Sequence, residues 1–224
     1  MNQGEATILV VEEDSTVRLS LEQVLRFAGY VVEVFSSAER FLRKSSCDGI
    51  GCVLLDFYMS GYPGLELLNR LNASGFSLPI IFLSTTPSVR TVVQAMKYGA
   101  ADFLLKPLDW ELVLLAVQEA IEKSRSIYKT KCETQAIQGL AASLTLRENQ
   151  VFHEVTAGYL NKQIAESLGV AEKTIKVHRG RVMKKMKACS IVDLVLLAEK
   201  LKYAKHQNRG AQTQQTEEKG TELP

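Results

Sequence analysis

Val53-Leu54-Leu55-Asp56 is an apolar run that stops on a carboxylate. Other runs of the chain stop in the same way: Ile8-Leu9-Val10-Val11 on Glu12-Glu13-Asp14, Ile80-Ile81-Phe82-Leu83 on Ser84, and Phe103-Leu104-Leu105 on Lys106. Short apolar runs bounded by polar punctuation read as buried strands. Helical segments lie between them, so the economical arrangement is a doubly wound α/β domain, a parallel sheet with helices on both faces. Ligands of such sheets sit at the carboxyl ends of the strands. Acids, a lone aspartate, a hydroxyl and a lysine are therefore expected at one sheet edge, with Asp56 at its centre.

The chain has 224 residues, room for one large domain or two modest ones. Its net charge is only +2, but unevenly spread. Residues 1–122 carry 9 Lys/Arg against 15 Asp/Glu, a net of −6, whereas residues 145–205 carry 12 against 6, a net of +6. An acidic module joined to one that meets a polyanion fits this split. The cysteines Cys47, Cys52, Cys132 and Cys189 have no metal-ligand spacing, and with only 3 histidines beside them they read as inert thiols in a reducing, cytoplasmic setting. No apolar run approaches the ~20 residues of a membrane span, and no secretory signal is evident, so no membrane partner is expected.

In chain order, the strand at Ile8–Val11 leads to a helix carrying Val17, Leu21, Val24, Leu25 and Ala28, capped by Asp14 or Ser15 and ended by Gly29. A strand at Val31–Phe35 and a short helix with Phe41 and Leu42 follow, the latter capped by Ser36 or Ser37. After Asp56 come a glycine-containing loop, Met59–Gly64, and a helix with Leu65, Leu67, Leu68 and Leu71. The strand ending at Ser84 precedes a helix with Val89, Val92, Val93 and Met96 as its apolar residues, and Gly99 closes it. The strand Asp102–Leu105 precedes a last helix, starting near Asp109, with Leu112, Leu115, Ala116 and Ala120. The result is a five-stranded sheet in about 120 residues, the size of a complete domain.

An aspartate among acids can be a covalent nucleophile toward phosphorus, forming an aspartyl phosphate. Carboxylates and a phosphoryl donor repel each other, so a hard divalent cation is needed between them. Mg²⁺ suits, since it takes one or two carboxylates and keeps waters and phosphate oxygens. A lysine and a hydroxyl would bind the remaining phosphoryl oxygens.

The order Glu12-Glu13, Asp56, Ser84 and Lys106-Pro107, with Gly64 and Lys97-Tyr-Gly-Ala-Ala-Asp-Phe-Leu-Leu-Lys-Pro107, strongly resembles the receiver domain of two-component response regulators over residues 6–122. The resemblance implies that Asp56 accepts a phosphoryl group from a sensor histidine kinase. It implies Mg²⁺ on Glu12, Glu13, Asp56 and the Tyr58 carbonyl, phosphoryl contacts from Ser84 and Lys106, and a switch made of Ser84 and Phe103. The family's lysine–proline peptide is cis, which the resemblance extends to Lys106–Pro107. Glu13 departs from the family's usual aspartate, adding roughly 1.5 Å of reach where Mg²⁺ demands near-octahedral geometry. The loop Met59-Ser60-Gly61-Tyr62-Pro63-Gly64 has its proline displaced, and Thr85-Thr86-Pro87 replaces the family's commoner loop of small residues after Ser84. Either Glu13 is a tolerated variant, or Mg²⁺ binding is weakened and the receiver acts independently of phosphorylation as a dimerisation or partner module.

Residues 123–142 read as a stiff, basic helical linker with Lys123, Arg125, Lys129 and Lys131, and Gly139 is a candidate stop. Residues 143–203 then read as an all-α four-helix domain. Thr145 and Glu148 form a capping box, Asn161 opens a short helix ended by Gly169, and a basic helix runs from about Glu172 to Lys187. On a wheel of ~100° per residue, Ile175, Val182 and Met186 share the core side. Lys173, Lys176, Val177, Gly180, Arg181, Lys184 and Lys187 take the opposite arc, and His178 falls toward packing. A tight turn followed by a basic helix fits a helix-turn-helix that enters a major groove. The residues after 203 are polar, glutamine-rich and expected to be disordered.

This segment resembles the LuxR-type helix-turn-helix through Leu144-Thr145, Arg147-Glu148, Gly158, Asn161-Lys162-Gln163-Ile164-Ala165, Leu168-Gly169-Val170 and Thr174-Ile175-Lys176-Val177-His178. Val182-Met183-x-Lys185-Met186 and Ser190-x-x-Asp193-Leu194-Val195 narrow the resemblance to the FixJ/NarL class. It implies Lys176, Val177 and Arg181 at bases of promoter DNA, Asn161, Lys162 and Thr174 at its backbone, Lys184 on the same face, and a final helix, Ile191–Leu201, that pairs two copies. Ala171 stands where a capping Ser or Thr is usual, and Gly180 where relatives often carry a basic side chain. The combined expectation is a cytoplasmic, non-enzymatic DNA-binding response regulator, homodimeric when active, that carries a phosphorelay to transcription. An aspartate-based phosphohydrolase is the rival from another class; it wants an acid just after the nucleophile, and Phe57-Tyr58-Met59 supplies none.

Overall fold

The computed structural model describes residues 6–43 and 49–202. The expectations for Cys47 and for the residues after 203 lie outside these. The chain divides into two compact units, with the boundary inside one long helix between Lys129 and Thr130.

In the first unit β1 (Ala6–Val11), α1 (Ser15–Phe27), β2 (Val31–Phe35), α2 (Ala38–Arg43) and β3 (Ile50–Asp56) come first. A small hairpin of β4 (Tyr58–Met59) and β5 (Tyr62–Pro63) leads into α3 (Gly64–Ala73). Then come β6 (Ile80–Ser84), α4 (Val89–Lys97), β7 (Asp102–Leu105) and α5 (Trp110–Ala142). The main sheet is parallel throughout and ordered β2-β1-β3-β6-β7. It is the five-stranded doubly wound sheet expected.

Successive strand residues feed opposite faces. Ile8, Val10, Leu54 and Leu83 pack with Leu21 and Leu25 of α1 and Val113, Ala116, Val117 and Ile121 of α5. Leu9, Val11, Val53, Leu55 and Phe82 pack on the other face with Phe41 of α2, Leu67, Leu68 and Leu71 of α3 and Ala95 of α4. Two alternatives left open by the sequence are resolved. Asp14 caps α1, its carboxylate accepting from the Thr16 and Val17 amides, and Ser37 caps α2 through the Arg40 amide.

In two helices the apolar residues outnumber the buried positions. On α4, Val89, Val93 and Met96 are exposed, Val92 is half-buried, and the buried residue is Ala95. In α5 Leu112 and Leu115 are exposed, and Val113 and Val117 take the core with Ala116 and Ala120. Leu112–Val117 is unbroken apolar sequence, so periodicity there does not choose a side. Gly139 does not end α5, which runs on to Ala142. At its start α5 caps on Asp109, whose Oδ1 accepts from the Glu111 amide. Further along, Ser124 Oγ accepts from the buried amide of Gly51.

The second unit packs Ile137 of α5 against α6 (Leu146–Thr156), α7 (Asn161–Ser167), α8 (Glu172–Lys185) and a helix at 191–202, α9. Its centre is Val151, Phe152, Val155, Ile164, Ile175, Val182, Met186 and Leu194. The capping box of Thr145 and Glu148 is present. Ala171 offers no side-chain cap to α8, yet its backbone is extended, with φ −69 and ψ 145. Ala171→Ser is therefore expected to stabilise this unit by about 1 kcal/mol. The check is a rise of roughly 4–8 °C in its thermal midpoint, followed by circular dichroism. No helix among the described residues is long and apolar enough to cross a membrane.

Candidate functional sites

β1, β3, β6 and β7 deliver their polar ends to one edge. Glu12 follows β1, Asp56 ends β3, Ser84 ends β6 and Lys106 follows β7. The register fixes this: Val11 pairs with Leu55, Asp56 with Leu83, and Ser84 with Leu105. The ammonium of Lys106 joins two of these groups, lying 2.6 Å from Glu12 Oε2 and 3.0 Å from Asp56 Oδ2. Burial alone would lower the Lys106 pKa, but the two carboxylates outweigh it and hold it above the ordinary lysine value. Burial pushes the Glu12 carboxyl up, aided by the nearby Asp56 charge and only partly offset by Lys106.

Asp56 Oδ1 accepts from the Tyr58 amide at 3.0 Å, which orients the carboxylate. The Ser84 side chain is fully buried, and its Oγ has no hydrogen-bond partner. A buried hydroxyl left without a partner is costly, by about 1–3 kcal/mol, unless something docks on it. Phe103 lies partly buried on Phe57 and Phe82, with ring centroids 5.5 and 5.8 Å apart. The Lys106–Pro107 peptide is cis. Gly64 shows why no other residue suits that position: a Cβ there would meet the Phe57 ring at 2.8 Å and the Phe57 carbonyl at 2.9 Å.

Glu13 is the residue that this edge does not gather. Its carboxylate accepts from both the amide and the hydroxyl of Ser60, each at 2.8 Å. Glu12, Asp56 and the Tyr58 backbone remain as hard oxygen donors, a set that fits Mg²⁺ with its one or two carboxylates. Two positioning residues escaped the sequence reading. One is Ser60; the other is Arg18, whose Nη1 donates to the carbonyls of Glu12 and Glu13 at 2.8 and 3.0 Å. An arginine one turn into a helix carries no sequence signal for that role. Cys52 is fully buried, and burial pushes its thiol up to about 12, so it is not a nucleophile. Cys132 and Cys189 are free and exposed.

In the second unit α8 presents Lys173, Thr174, Lys176, Val177, Gly180, Arg181 and Lys184 to solvent and Ile175, Val182 and Met186 to the core. This is the division the helical wheel gives, except that α8 ends at Lys185, with Met186 as its C-cap, and Lys187 lies beyond the helix with φ +54. His178 lies half-buried, as expected of a packed residue. Asn161 is not the cap of α7; Leu160 holds that position, its amide bonded to Gln163 Oε1. Asn161 Oδ1 instead accepts from Arg179 at 2.9 Å, tying α7 to α8, a link that sequence reading missed. Lys162 is exposed beside it.

Two further bonds brace the motif. Arg147 donates to the Leu168 carbonyl at 2.6 Å, just before the turn at Gly169, whose φ is +64. Lys185 meets Glu148 at 2.6 Å and, with the Thr145 amide, holds that carboxyl well down, at about 2.

A doubly wound domain with acid, aspartate, hydroxyl and lysine on one edge, followed by a helix-turn-helix with a basic outer face, defines a class of signalling regulator. A family model described as the response regulator receiver domain matches residues 8–118, and one for bacterial regulatory proteins of the luxR family matches residues 142–198. The response regulator protein TmoT of Ectopseudomonas mendocina is 38% identical over 202 residues, covering 90% of this chain and 92% of that protein. The transcriptional regulatory protein FixJ of Bradyrhizobium diazoefficiens is 38% identical over 191 residues, covering 85% and 93%. Among solved structures, response regulator StyR matches with a TM-score of 0.76 and 38% identity, over 88% of this chain and all of that one. This chain belongs to the two-component response regulators with a LuxR-type DNA-binding domain, a family of transcription regulators.

Proposed function

We propose that Asp56 accepts a phosphoryl group from a sensor histidine kinase, and that the phosphorylated protein binds promoter DNA as a homodimer in the cytoplasm. The observation that carries this reading is the Lys106 ammonium shared between Glu12 and Asp56, beside a buried Ser84 hydroxyl with no partner. An Asp56 carboxylate oxygen attacks phosphorus, and the bond from phosphorus to the kinase imidazole nitrogen breaks. Its electron pair leaves with the ring, which takes a proton from solvent. Lys106 keeps its own proton and pairs with the phosphoryl oxygens, and Ser84 donates its hydroxyl to them. Mg²⁺, when bound by Glu12, Asp56 and the Tyr58 carbonyl, supplies positive charge between carboxylates and phosphoryl oxygens.

Movement of Ser84 toward the phosphoryl group opens space beside Phe82, and Phe103 follows it. A switch of this kind shifts a population, so the phosphoryl group must favour the active state by several kcal/mol. The exposed apolar residues of the first unit, Val89, Val93 and Met96 on α4 with Leu105, Leu112 and Leu115, suit a second copy of the receiver. On α9 the exposed Ile191, Val192 and Leu196 suit a second copy of the DNA-binding unit.

The test is intact mass after incubation with acetyl phosphate, with and without Mg²⁺, beside Asp56→Asn. One added phosphoryl group that needs both Mg²⁺ and Asp56 is expected. No gain, from acetyl phosphate or from a kinase, would make the first domain a phosphorylation-independent dimerisation module instead.

On DNA, Lys176, Val177 and Arg181 reach base edges, while Lys162, Thr174 and Lys184 meet phosphates. Lys176→Ala is expected to weaken binding to a selected operator by ~1–3 kcal/mol while leaving scrambled DNA nearly unchanged. Equal loss on both sequences would assign Lys176 to the backbone.

A further inference from the structure

We infer that Glu13 is a latch on the β4–β5 hairpin and not a ligand of the cation, so that Ser60 and Glu13 together position the loop over Asp56. The inference rests on the reading that the Asp56 pocket takes Mg²⁺. Both carboxylate oxygens are engaged by one residue 47 positions away, Oε1 by the Ser60 amide and Oε2 by the Ser60 hydroxyl. The root of Glu13 is fixed from behind. Arg18 binds the carbonyls of Glu12 and Glu13, and the next residue, Asp14, caps α1. From that anchored loop the side chain reaches across to the exposed tip of the hairpin, where Ser60 precedes Gly61 with φ +78.

Side-chain length explains why glutamate suits this task. An aspartate here would fall short of Ser60 by one carbon–carbon bond, roughly 1.5 Å. A carboxylate held by two donors must also give up two charge-assisted hydrogen bonds to turn away. Glu12 and Asp56 already supply the one or two carboxylates that Mg²⁺ ordinarily takes. Swinging Glu13 inward would release the hairpin. The latch therefore links the hairpin position to the cation: whatever pulls Ser60 away frees a third carboxylate, and by reciprocity a cation that recruits Glu13 loosens the hairpin.

The test uses the full chain and two readouts. The first is exchange of the assigned Ser60 amide in Mg²⁺-free protein. Glu13→Ala is expected to speed it by roughly tenfold, and Glu13→Gln, which keeps an acceptor oxygen, by much less. An unchanged Ser60 rate in Glu13→Ala overturns the latch.

The second readout is Mg²⁺ affinity by calorimetry. Glu13→Gln is expected to leave the Kd within about twofold, whereas Glu13→Asp, too short for Ser60, tightens it. Loss of roughly tenfold or more in Glu13→Gln would make Glu13 a ligand and overturn the inference. If the wild-type chain binds no Mg²⁺ at all, the cation reading fails, and the Ser60 amide alone decides the latch.

Discussion

Gly51→Ala is expected to destabilise the first unit by about 3 kcal/mol or more, an effect at the severe end for a single added methyl group. Gly51 sits in β3 opposite Thr7 of β1, in the central pair of the sheet. A Cβ built there would collide with the Thr7 carbonyl oxygen and lie 3.0 Å from its carbon. The obstacle is backbone, so no rotamer change relieves it; the two strands must move apart. That movement also pulls the Gly51 amide off Ser124 Oγ, now 3.1 Å away. A loss of that size is a large fraction of the 5–15 kcal/mol that holds a typical domain together. Urea unfolding followed through Trp110, the chain's single tryptophan and a residue of the first unit, reads it directly. With a slope of about 1–3 kcal/mol per molar, the midpoint falls by roughly 1 M or more. Gly139→Ala is the control, since a Cβ there meets nothing and α5 is helical throughout. It lies in the second unit and is expected to leave the Trp110 midpoint unchanged. A Gly51→Ala midpoint equal to wild type would mean that β1 and β3 tolerate separation at their starts.

Gly51 also marks where sequence reading stops. The sheet, its strand ends and the edge that gathers Glu12, Asp56, Ser84 and Lys106 were legible because each strand is a run of apolar residues with a polar stop. Period and punctuation carry that information. The face of α8 was legible for the same reason: its apolar residues are few and correctly spaced. In α4 and the start of α5 the apolar residues outnumber the core positions, so pattern alone did not separate the buried face from the exposed one. The exposed surplus, Val89, Val93, Met96, Leu112 and Leu115, is what the proposed pairing of two copies would cover. Long-range polar bonds were the other blind spot. Nothing in the spacing of Glu13 and Ser60, of Asn161 and Arg179, or of Gly51 and Ser124 announces that they meet. Those pairs exist only after the strands and helices have packed, and the first of them redirects a residue that the family resemblance had placed on the cation.

Lys106→Met should show how much of the first unit rests on the pair that the proposed chemistry must open. The ammonium is 2.6 Å from Glu12, whose side chain is only 1% exposed, and 3.0 Å from Asp56. Removing it leaves a buried carboxylate uncompensated beside another, a change that typically costs about 3–5 kcal/mol. Glu12 already sits above its usual 4.5 because burial disfavours its charge. Without Lys106 it rises further. A carboxyl whose folded pKa lies above its unfolded value binds its proton more tightly in the folded state. The deficit is therefore smallest below about pH 4.5 and grows as the pH climbs to the folded pKa, then levels off. Wild type loses the contribution of Lys106 only at the alkaline end, as the pH rises through a folded lysine pKa above 10.5. Urea midpoints of the two proteins should thus converge in acid and diverge toward neutrality. Lys106→Met/Glu12→Gln, with no charge to strand, is expected to recover most of the loss at pH 7. A deficit that ignores pH, or that the second substitution fails to recover, would show that the lysine stem and not its charge supports the fold. The ammonium is held by carboxylates on two strand ends, and the phosphoryl group proposed for Asp56 would offer it a stronger anion without moving the strands that carry them.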